Sequence, residues 1–220
     1  MNCMIAGVCR QKKGVVMMQN ATIHGRNRLR LMGLVLLALF FATTTVFAAD
    51  LFGFKLNAGV GGTQSFLQKQ GYKVQAKHSF SKPRLSNIEI LDFKNDYLRD
   101  MQLWIACYKD RTYLYKWSGD LPAEAGSVDR LQRLLKYLTK TFGEPQLVHG
   151  AKTMDVKSLA AIADGKSEEG VLLVWKRDSE QVELSLLEPL LAGGKPSVDF
   201  LLRYISPAME QEALAYERGK

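Results

Sequence analysis

The chain has 220 residues, is 47% hydrophobic and 24% charged, and carries 30 Lys and Arg against 22 Asp and Glu, a formal +8. That balance excludes a disordered or low-complexity polypeptide. Six of the cations (Arg10, Lys12, Lys13, Arg26, Arg28, Arg30) lie in the first 48 residues, which hold no acid, leaving 24 basic against 22 acidic residues and no cation excess for nucleic-acid binding.

Residues 26–49 have the three-part layout of a secretory signal peptide. Arg26, Arg28 and Arg30 precede an apolar run over 31–41, and Thr43-Thr44-Thr45-Val46-Phe47-Ala48-Ala49 follows. Val46 and Ala48 occupy the −3 and −1 positions for a cut after Ala48, so 49–220 is expected to be a single exported domain, periplasmic or secreted. A leader of 48 residues is long, and a start at Met17 or Met18 would shorten it to 32 or 31. The apolar run is shorter than the ~20 residues of a spanning helix, which favours cleavage over a retained anchor. Membrane contact is expected only through an uncleaved leader. Cys3, Cys9 and His24 leave with it, so Cys107 has no disulfide partner and only His78 and His149 remain.

After an apolar lead-in at 51–56 come the bend glycines Gly59, Gly61 and Gly62, then a short helix with Thr63 as N-cap and Gly71 as stop. Strands are predicted over 72–80, 87–93, 101–108 and 113–117, the last pair joined by a turn at 109–112. The strongest element is a helix capped by Ser127, in which Leu131, Leu134, Leu135, Leu138 and Phe142 form one apolar stripe. Gly143 and Pro145 end it. A short helix at 155–163 stopped by Gly165 follows, then strands at 171–176 and 181–187 around a hairpin turn at 177–180. Past a loop at 193–196 come a strand at 198–205 and a last helix opened by Ser206 and Pro207.

Adjacent strands with interspersed helices predict an α+β fold, an antiparallel sheet with helices packed on one side. The two halves run in similar order, which leaves open a duplicated helix-plus-sheet unit. In general layout the chain resembles small exported domains such as the β-lactamase-inhibitor-like proteins. The resemblance implies a fold of that kind and brings no site residue with it.

The glycine bend lacks the third glycine of a dinucleotide loop, since position 64 is Gln64. Cys107 lies in the apolar segment 101–108 and reads as core thiol, not as a nucleophile served by His78 or His149. His78, Ser79 and Ser81 are sequence neighbours without a nucleophile elbow. Two histidines 71 residues apart without a Cys pair give no metal spacing, and Asp92, Asp96 and Asp100 read as turn carboxylates. No cofactor or metal is expected. The remaining feature is aromatic: Phe93, Tyr97, Trp104, Tyr108, Tyr113, Tyr115 and Trp117. Tyr113, Tyr115 and Trp117 share a predicted strand face, as do Trp104 and Tyr108, so a ladder of the two rows would form either a partner-binding platform or core beneath the long helix. The expected function is non-enzymatic binding of a protein, peptide or glycan in the cell envelope, with an envelope hydrolase bearing its site on loops as the alternative.

Overall fold

The computed structural model describes residues 50–150, 155–165, 170–189 and 196–219. The leader and its cleavage position lie outside the described residues, as does most of the loop expected at 193–196. The described residues belong to one compact unit, Ala48–Lys220. Their elements are α1 (Val60–Lys69), β1 (Lys77–His78), β2 (Leu85–Phe93), β3 (Met101–Tyr108), β4 (Arg111–Pro122), α2 (Ala125–Phe142), β5 (Gln146–His149), α3 (Val156–Ala163), β6 (Val171–Arg177), β7 (Glu180–Leu187), β8 (Ser197–Ile205) and α4 (Pro207–Glu217).

The strands form one sheet in the order β1-β2-β3-β4-β8-β7-β6-β5, with every neighbouring pair antiparallel. Each half of the chain is therefore a meander, and the two meet where β4 pairs with β8 from Leu114↔Ile205 to Pro122↔Ser197. Leaving central β4, the chain must cross half the sheet to reach β5 at the edge. Helix α2, about 27 Å long at helical rise, makes that crossing. Its buried Leu131, Leu134 and Leu138 lie in the same core as Ile105, Trp117 and Leu202 from the sheet. Helices α1 and α3 contribute Leu67, Leu159 and Ile162 to that core.

The α+β layering is as expected, with one helix on the other side. Helix α4 sets Ala213 and Met209 against Ala106, Leu114 and Ile205, whose alternation points away from the main core. Among the described residues, no helix is long and apolar enough to cross a membrane.

Three local expectations need correction. Helix α1 starts at Val60 with Gly59 as N-cap, and Thr63 sits inside its first turn with its N–H on the Gly59 carbonyl at 3.0 Å. Helix α2 is entered at Glu124, whose carbonyl already accepts from Ser127 and Val128 N–H, so Ser127 is an interior residue. Of the strand predicted at 72–80, only Lys77–His78 forms a ladder with β2. Tyr72, Val74 and Ala76 do alternate inward onto the core, so the pattern is real although the backbone is unpaired there. Strand β5 was not anticipated. Asp155 caps α3 as its position suggests, accepting from Ser158 N–H at 2.7 Å.

Candidate functional site

A β-bulge divides the aromatic segment between two faces. Ala106 pairs with Leu114 and Cys107 with Thr112, leaving Tyr113 as the extra residue. Tyr113 therefore turns to the α4 side beside Leu114, while Tyr115 and Trp117 point into the main core. The expectation that these three rings share a face is corrected on that ground, and no single ladder joins them to Trp104 and Tyr108. Tyr115 and Trp117 stack at 6.1 Å and are 1% and 0% exposed. The Tyr115 hydroxyl donates to the Lys55 carbonyl at 2.9 Å, and burial raises its pKa. Tyr108 and Tyr113 are covered beneath α4, where burial, with Glu210 and Glu217 nearby, pushes the Tyr113 phenol up to about 12. Trp104, half-buried on the same side, is the most open of the five.

His78, Ser86 and Cys107 stand in register across β1, β2 and β3. The thiol is 1% exposed, and burial pushes it up to about 11 despite a hydrogen bond from Ser86; Asp110 raises it further. A buried, protonated thiol is a poor nucleophile. His149 lies on β5 at the opposite edge of the sheet, about 33 Å from β1 by strand spacing. Asp92, Asp96 and Asp100 are all exposed. Among the described residues, no three His, Cys, Asp or Glu side chains are grouped to hold a metal.

A different set of rings converges at the outer half of β2. The lead-in is a tight turn in which Leu51 and Phe54 exchange backbone hydrogen bonds of 3.2 and 3.0 Å. Its central residues Phe52 and Gly53 have φ of 57° and 83°, as a two-residue hairpin turn requires. A Cβ at Gly53 would stand 3.1 Å from the Phe66 ring. Tyr137 of α2 fastens this turn, accepting from Phe52 N–H and donating to the Asp50 carbonyl, both at 3.1 Å. Phe52, Tyr97 and Tyr137 form a mutual three-ring cluster, with centroids 5.6 Å (Phe52–Tyr97), 5.4 Å (Phe52–Tyr137) and 5.0 Å (Tyr97–Tyr137) apart, and Phe54 meets Phe66 edge-on at 5.0 Å.

A cavity of about 820 Å³ opens between the end of α1 and β2. Phe52, Phe54, Phe66, Tyr72 and Phe93 line it, with Lys73, Glu89, Asp92 and Lys94 among its polar residues. Its size is that of a ligand site. Because β1 has two residues, β2 loses its outer neighbour beyond Asn87. Ser79 N–H donates to the Leu85 carbonyl, so by strand alternation the backbone groups of Glu89 also turn outward, with those of Leu91 following at the bulge. Among the described residues, no backbone partner reaches them from that side. Leu91 is 75% exposed at the bulge between Ile90 and Phe93. Asn95, also lining the cavity, accepts from Tyr97 and Leu98 N–H through Oδ1. Its Nδ2 is buried and has no acceptor among the described residues.

Sequence reasoning placed Phe66 inward and Phe93 in the aromatic group without bringing them together. The aromatic pair in the lead-in was the available signal; its convergence with Phe66, Tyr72 and Phe93 depends on tertiary contacts. The chain matches no protein-family model, no curated protein and no solved structure.

Proposed function

We propose that the chain is an exported, non-enzymatic binding protein of the cell envelope that holds an extended, apolar peptide segment at the outer edge of β2. The leader layout of residues 26–49 supports export. The observation that carries the binding mode is the aromatic cavity beside the unpaired edge at Glu89 and Leu91. An added strand would satisfy those backbone groups, and its alternate side chains would enter the cavity.

A peptide array probed with protein purified from the cell envelope tests this. Enrichment of segments with alternating apolar residues, lost when their backbone is N-methylated and weakened by Phe66→Ala, is the expected result. Binding indifferent to backbone methylation would refute strand addition. N-terminal sequencing of the same material should begin at Ala49.

A further inference from the structure

From residue 51 to residue 88 the chain has six Lys and Arg (Lys55, Lys69, Lys73, Lys77, Lys82, Arg84) and no acidic residue. The projecting part of this stretch is the turn between β1 and β2. It is held by backbone bonds from Lys82 to Ser79 (3.3 Å), Leu85 to Lys82 (2.8 Å) and Ser79 to Leu85 (3.1 Å). At its tip Phe80 is fully exposed. A hydrogen-bonded turn thus holds a large apolar ring in water, uncovered by any apolar side chain among the described residues, with Lys77, Lys82 and Arg84 around it.

We infer that this tip docks the protein on a bilayer surface containing anionic phospholipid, Phe80 entering the interface and the flanking cations meeting lipid phosphates. The two features require different things, an apolar medium and fixed negative charge, and an anionic membrane surface supplies both within one side-chain length. Among the described residues, Lys77, Lys82 and Arg84 make no ion pair, so their charge is available. Lys82 Nζ donates to the Tyr216 carbonyl at 3.3 Å, and Arg84 lies 5.5 Å over the Tyr216 ring; both contacts leave the charge uncancelled. Lys109 adds nothing, since Glu212 stands 3.3 Å from its ammonium; Asp110 lies in the turn between β3 and β4 and Glu217 at the end of α4. Three cations are too few for a nucleic-acid groove, whereas one ring and a few lysines suit weak, reversible attachment to lipid. This contact is independent of the leader and of the peptide reading.

Vesicle flotation with protein from the cell envelope tests it, using phosphatidylcholine with and without phosphatidylglycerol. The protein should float with the anionic vesicles at low salt and much less with phosphatidylcholine alone. Phe80→Ala should weaken partitioning about tenfold with an unchanged melting temperature, because the ring touches little of the fold. Lys77→Glu with Lys82→Glu, or raised salt, should also release it. Flotation that is absent, equal on both vesicle types, or unaffected by Phe80→Ala would overturn the inference. So would binding to a duplex oligonucleotide that displaces the vesicles and survives Phe80→Ala.

Discussion

The Tyr72 hydroxyl spans both backbone groups of Lys94, donating to its carbonyl at 3.0 Å and accepting from its N–H at 3.1 Å. A side chain thereby does at the end of β2 what a neighbouring strand would do, and its ring stacks on Phe93 at 5.7 Å. Tyr72→Phe keeps the stacking and removes the bridge. The cost should be about 1 kcal/mol, because water takes over part of the hydrogen bonding at this exposed site. Amide exchange should accelerate at Lys94 and stay slow at Ile88 in the paired part of the strand. Unchanged protection at Lys94 would assign the closure of this edge to the rings alone.

The bulge at Tyr113 separates two tryptophans that the sequence treats alike. Trp117 is fully buried against Phe52, Phe54 and Phe93, whereas Trp104 is half-buried on the other face. Trp117→Ala should cost roughly 3–5 kcal/mol in urea unfolding. Trp104→Ala should cost about 1 kcal/mol. Comparable losses would place both rings in equivalent environments and contradict the divided faces.

Why one part of this architecture was legible and another was not follows from the range of the interactions. The stripe Leu131, Leu134 and Leu138 announces α2 because helical period is a local property, and Gly143 stops it as a glycine should, at φ 90°. Asp155 and Pro207 mark helix starts for the same local reason. Alternation at Tyr72, Val74 and Ala76 correctly gives inward faces but says nothing about whether β2 lies close enough to pair. The bulge is illegible because Thr112 and Tyr113 fit either register, and a one-residue shift moves a ring to the other face. The aromatic cavity gathers residues from 52 to 93 through contacts that no local pattern encodes.

Arg203 ties α4 to the sheet with two charged hydrogen bonds of 2.6 Å, one to Glu183 on β7 and one to Glu210 on α4. All three side chains are less than a third exposed, so solvent screens the pairs only partly. Arg203→Met should cost about 2 kcal/mol and loosen α4 from Leu114 and Ile205. A glutamate-specific protease should then cut faster at Glu210, Glu212 and Glu217. Arg203→Lys should rescue little, since one ammonium cannot reproduce the two-armed geometry. Cutting rates that match the parent protein would show that apolar packing alone holds this helix.

The buried thiol and phenol predict an alkaline limit to stability. Cys107 ordinarily ionises near 9.0 but is pushed up to about 11 by burial, and Tyr113 rises from near 10.0 to about 12. Both groups are neutral when protonated, and the fold favours that form. Below pH 9 neither state ionises and the pair contributes no slope. Between pH 9 and 11 the unfolded chain releases the thiol proton while the folded chain keeps it, so stability falls as pH rises, by on the order of 2 kcal/mol for Cys107. Tyr113 extends the decline toward pH 12. Urea midpoints should therefore be flat from pH 7 to about 9 and drop above it, and Cys107→Ala should make the first part of the drop shallower. A midpoint that holds level through pH 11 in the parent protein would mean the thiol reaches solvent, and Cys107 would then be a reactive group after all.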